Sequence, residues 1–103
     1  MGASASEVRQ FAVAACAWSA RRDGRTVNAF EQAKAQVMRA FAGNPPALDV
    51  IVQIPSQAAV LADARRHLQV DPLDTSADSH FQQAVLDLEQ STQQLILFAE
   101  QRR

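Results

Sequence analysis

Apolar residues recur at helical spacing along most of this chain. From Phe81 to Ala99 the positions Phe81, Ala84, Val85, Leu88, Leu95, Ile96 and Ala99 share one face, and the remainder of the segment is mostly Gln, Asp, Glu and Ser. That pattern predicts an amphipathic helix over roughly Ala77 to Gln101. An earlier helix, from about Ala5 to Arg22, opens on Ser4 with Glu7 three residues later, the spacing of a capping box. Val8, Phe11, Ala12, Ala15, Trp18 and Ser19 line its inner face, while Val13, Ala17 and Ala20 make the opposite face apolar as well. A helix apolar nearly all round must be covered on two sides, by neighbours in its own fold or by another chain.

Arg21, Arg22, Asp23, Gly24 and Arg25 end this helix, with Gly24 the expected left-handed cap. The second helix is expected to begin near Thr26 or Asn28, with Asn28 and Glu31 as its capping box, and to bury Phe30, Ala33, Val37 and Phe41. Gly43, Asn44, Pro45 and Pro46 stop it. The segment Leu48 to Ile54 has the Val and Ile content of a strand. Helix is nevertheless favoured: Asn44-Pro45 reads as a cap and first turn, a lone strand would have no partner, and Ala47, Val50 and Ile54 stay in phase with Leu61, Ala64 and Leu68. Pro55 should kink or split this third helix, with Ser56 capping the second half. Asp71-Pro72 closes it, and Asp74, Thr75 and Ser76 supply caps for the fourth. The expected architecture is all-α: an antiparallel bundle of about four helices forming one domain over residues 1–103.

Composition narrows the function. The 103 residues are 48% apolar, and twenty of them are Ala, which suits closely packed helices around a thin core. Self-association would supplement such a core. The formal net charge of −1 supplies no field to draw in a phosphate backbone or an anionic bilayer, so neither nucleic acid nor membrane is the expected partner. Phe11 to Ala20 is too short to span a bilayer, which needs about 20 apolar residues. Cys16 is the single cysteine, so no internal disulfide can form; this fits a reducing, cytoplasmic setting and a small core residue.

On the last helix Leu86 and Leu97 project away from Leu88, bordered by Gln82, Gln83, Gln90, Gln93 and Gln94. Burying neutral amides costs less than burying charges, so leucines ringed by glutamines suit a protein partner. The expected interface comprises Leu86, Leu97, Gln90 and Gln93, joined by Val13 and Ala17 from the first helix. Arginines gather at Arg21, Arg22 and Arg25, at Arg65 and Arg66 beside His67, and at Arg102 and Arg103. Each group sits near a helix end, where it complements the dipole. Were the first two groups to converge, they would grip an anion or nucleic acid, the alternative reading of the chain as a small nucleic-acid-binding regulator.

No catalytic or cofactor pattern emerges. Neither His67 nor His80 has a Glu three residues before it, as a helical di-iron site requires. Zinc spacings and phosphate-cradling loops are absent from a chain with three glycines. The expectation is a non-enzymatic protein without metal or cofactor.

The order of features resembles the YlbF/YmcA-like family of small bacterial helical regulators. The resemblance is carried by Ser19, by Phe30 with Ala33 and Val37, by the Asn44-Pro45 stop, by Leu48 and Ile51 with Gln57 beyond, and by a closing helix with Phe81, Ala84 and Leu88. It implies a self-associating adaptor that works through protein partners; the family's best-known members tune messenger RNA processing by binding a ribonuclease. The cysteines with which some members hold an iron-sulfur cluster are missing here, so that cofactor is not implied. Pro55 and the polar loop after Asp71 depart from the family pattern.

Overall fold

A computed structural model describes residues 4–101. Four helices follow one another: α1 (Ala5–Arg21), α2 (Gly24–Ala40), α3 (Pro45–Val70) and α4 (Thr75–Gln101). There is no strand among the described residues, so Leu48 to Ile54 is helical. Arg102 and Arg103 lie outside the described residues.

Short connections turn each helix back on its predecessor. At the first, Arg22 takes the left-handed conformation (φ 52°, ψ 40°) and donates its N–H to the Trp18 carbonyl at 2.8 Å. Gly24 is therefore not the cap expected of it; it is the first residue of α2. The reason lies in Asp23, whose carboxylate accepts the Thr26 N–H at 2.8 Å while the Thr26 hydroxyl accepts the Asp23 N–H at 3.2 Å. This reciprocal box satisfies two otherwise orphaned donors and starts α2 earlier than Thr26 or Asn28. Asn28 sits exposed inside the helix. At the N-terminus Ser4 caps as expected, its Oγ accepting the Glu7 N–H at 3.2 Å.

The second connection depends on Gly43, whose φ of +83° is a conformation that side chains disfavour. Asn44 then caps α3 by accepting the Ala47 N–H at 3.3 Å, with Pro45 and Pro46 in the first turn, where a missing N–H costs nothing. In the third connection the Asp74 carboxylate accepts from Ser76 and Ala77 at 3.0 and 3.1 Å.

α3 continues through Pro55 as one helix rather than dividing there. Pro55 has no N–H to offer the Ile51 carbonyl, but Ile51, Ile54 and Ala58 around it are all buried. Their packing holds the helix across the missing bond. By length and composition α3 is apolar enough to match a membrane span, as core helices of folded domains also are. Its face of Ala47, Val50, Ile51, Ile54, Ala58 and Ala64 is turned into the protein.

α1 touches all three other helices, which explains much of its all-round apolarity. Its seam with α2 is aromatic: the Phe30 ring stacks on Phe11 at 5.9 Å and on Trp18 at 5.3 Å between centroids. Phe11, Phe41, Ile51, Ile54 and Leu95 are the largest fully buried side chains. α3 and α4 form the most extensive helix pair, and the molecule is flat, 47 × 29 × 19 Å. These two helices are nine or ten residues longer than α1 and α2. No residue from Arg65 to Gln83 is fully buried, so the end of their hairpin projects as a solvated arm.

Candidate protein-docking surface

The buried face of α4 is the expected one: Ala84, Leu88, Leu95, Ile96 and Ala99 are inside, joined by Ser91. Phe81 and Val85 are half-buried. With that face fixed, the helical period turns Leu86 and Leu97 outward, where they are 50% and 48% exposed. Gln90 and Gln93 lie between them and are exposed too.

α1 and α4 meet less intimately than α3 and α4. An open groove of about 750 Å³ runs between them. Ala12, Val13 and Cys16 line it from α1, and Leu86, Leu88 and Ile96 from α4. The small side chains of α1 do not fill the angle between the two helices, and so the sides of Leu88 and Ile96 show at its floor. Val13, 69% exposed, stands at the rim. Gln90 and Gln93 complete the lining, and the groove carries one charge of each sign, Arg9 on α1 and Glu89 on α4.

Of the six residues expected at an interface, Val13, Leu86, Gln90 and Gln93 thus share one groove. Leu97 continues the Leu86 stripe by the helical period, and Ala17 is half-buried in α1. Arg9, Glu89 and Cys16 were not singled out by periodicity. Their role at the groove depends on how α1 sits against α4, which helical spacing within one segment does not encode.

The thiol of Cys16 is pushed up from its ordinary pKa by burial, against the pull of the nearby Arg65 charge. A raised pKa disfavours the thiolate and makes the side chain a poor nucleophile.

The arginine groups are partly engaged within the protein. The Arg22 guanidinium lies over the Trp18 ring at 5.6 Å, and Arg66 pairs with Asp63 at 3.3 Å. Arg65 and Arg66 line a second groove with Ala20, one residue before Arg21, so the first two groups come to the same end of the α1 and α3 pair. Arg21 and Arg25 are exposed. On the projecting arm Asp63, His67, Asp74 and His80 border a cleft, with His67 Nδ1 3.0 Å from the Asp63 carbonyl oxygen. Among the described residues, no three His, Cys, Asp or Glu side chains are placed to hold a metal ion. No family model, no curated protein and no solved structure matches the chain.

Proposed function

We propose that this protein acts by docking another protein chain along the α1 and α4 groove, as an adaptor rather than an enzyme. The observation that carries the reading is the groove itself: an open apolar trough with Val13 and Leu86 exposed at its edges. Apolar side chains grouped along a concave face, with charges kept to the rim, are the anatomy of a protein interface. The glutamine border lets that face be covered without stranding a charge. The arginines favour nucleic acid less, because Arg22 and Arg66 already have intramolecular partners.

Photo-cross-linking in the native host tests this. A benzoylphenylalanine placed at Val13 should give discrete protein adducts, whereas the same group at Gln32, exposed on α2, should not. Adducts at Gln32 equal to those at Val13, or none at either, would end the proposal. Steeply salt-sensitive binding of RNA, lost when Arg65 and Arg66 are replaced, would favour the alternative.

A further inference from the structure

We infer that a second copy of the chain covers the outer edge of this groove and the Leu86 to Leu97 stripe that continues it, with the two α4 helices crossing antiparallel about a two-fold axis level with Ser91 and Thr92. The inference rests on the docking reading above and names its partner. Leu86, Gln90, Gln93 and Leu97 are spaced four, three and four residues apart. That is the alternation of a coiled-coil seam, and it reads the same from either end. Placed antiparallel on itself, the stripe sets Leu86 against Leu97 of the partner subunit and Gln90 against Gln93 of the partner subunit. Leucine meets leucine at both ends. In the middle, two amides face two amides, and each can donate and accept.

The glutamine layer also defines register, as buried amides do in helical seams. A slip of one heptad in either direction would oppose a leucine to a glutamine. A two-fold interface demands this self-complementarity of a surface, while an unrelated partner does not.

Charge supplies a second, independent support. α1 runs antiparallel to α4. Cys16 flanks Ala58 and Ala62 of α3, and Val60, between them in the chain, flanks Ala84 of α4. Cys16 therefore lies toward the Leu88 end of the groove, and Arg9, two turns earlier, toward the Gln93 and Ile96 end. Rotation about the proposed axis carries Arg9 to the Glu89 end of the partner subunit. Each opposite charge at the rim thereby finds its complement, twice per dimer.

The test combines solution mass with directed cross-linking. Wild-type protein should scatter as twice the 11.2 kDa chain. In a Cys16→Ser background, Leu86→Cys and Leu97→Cys variants, mixed and mildly oxidised, should form a disulfide-linked dimer, and neither should do so alone. Each introduced cysteine would lie 11 residues, about 16 Å, from its own symmetry mate, beyond the roughly 7 Å that a disulfide spans between Cα atoms. Arg9→Glu and Glu89→Arg should each raise the dimer dissociation constant about tenfold, and combining them should restore it to within about threefold. Self-cross-linking of either single-cysteine variant would overturn the antiparallel arrangement. A wild-type monomer at concentrations on the order of 0.1 mM would overturn the second copy as occupant. Adducts from Val13 to a different protein would then leave the docking reading standing, and their absence would end both.

Discussion

Leu95 and Leu97 sit two residues apart on α4, one with no exposed surface and the other nearly half exposed. Truncating each to Ala makes the same chemical change in the same helix, so the gain in helix propensity cancels between them. For Leu95 the loss begins with three buried carbons, at about 0.8 kcal/mol each, or about 2.4 kcal/mol. The cavity left among well-packed neighbours adds to it, bringing the expected cost to about 3 to 5 kcal/mol. At Leu97 about half of the transfer energy applies and no cavity forms, which gives about 1 kcal/mol before the small propensity gain is subtracted. The difference, about 2 kcal/mol or more, is a large share of the roughly 5 to 15 kcal/mol that holds a domain of this size. Urea unfolding followed by circular dichroism would measure both, with protein diluted until the midpoint no longer depends on concentration, so that subunit association does not enter. Equal midpoints for the two variants would refute the assignment of the inner face of α4.

Three further perturbations probe the remaining structure. Pro55→Ala restores an N–H for the Ile51 carbonyl inside α3 and should stabilise the protein by about 1 to 3 kcal/mol in urea unfolding; destabilisation would show that the ring's packing outweighs the missing bond. Ser19 is 2% exposed, and its hydroxyl has no hydrogen-bond partner among the described residues. Ser19→Ala should therefore raise stability by about 1 kcal/mol in the same assay, and a loss would reveal a bond that the hydroxyl makes. The Asp23 carboxyl is held below its ordinary pKa by the Thr26 backbone N–H and then by the Thr26 hydroxyl. Because the folded value is the lower one, its stabilising effect is complete above about pH 4 and fades as the pH falls through the folded value. Asp23→Asn keeps a capping oxygen without this titration, so its melting temperature should fall less steeply than that of the wild type below about pH 4; parallel curves would count against the role of the cap.

The helices were legible because each carries its period and its punctuation within one segment. Asn44-Pro45 marks the start of α3, and the phase of Ala47, Val50 and Ile54 distinguishes helix from strand where residue preference alone would mislead. At the connection of Arg22 and Asp23 two signals compete. Gly24 can adopt the left-handed cap, but Asp23 with Thr26 satisfies two donors at once, and Arg22 takes the left-handed turn instead. Local rules leave open whether α3 kinks or divides at Pro55, and the structure keeps it one helix. Local rules see the missing N–H, while the burial of Ile51, Ile54 and Ala58 that offsets it belongs to the packed fold. At the docking surface, periodicity located the Leu86 and Leu97 stripe. The contributions of Arg9 and Cys16 required the placement of α1.

That placement also connects the thin core to the exposed groove. α1 is rich in alanine, and Ala12 and Ala15 are buried. Small residues let it lie close to α2 and α3 at once, with Phe11 and Trp18 stacked on Phe30 to fill the α2 side. The same small side chains leave part of the angle between α1 and α4 open, so the groove reaches down to the edges of Leu88 and Ile96 although both side chains are buried. Enlarging Ala12 to Leu would test this trade directly. Ala12 is only 9% exposed, so the monomer should tolerate the added carbons by turning them toward the groove that Ala12 also lines. They should also fill the trough and weaken association. A variant that unfolds instead would place Ala12 wholly within the α1 and α3 contact, and the groove would then owe its shape to helix angle alone.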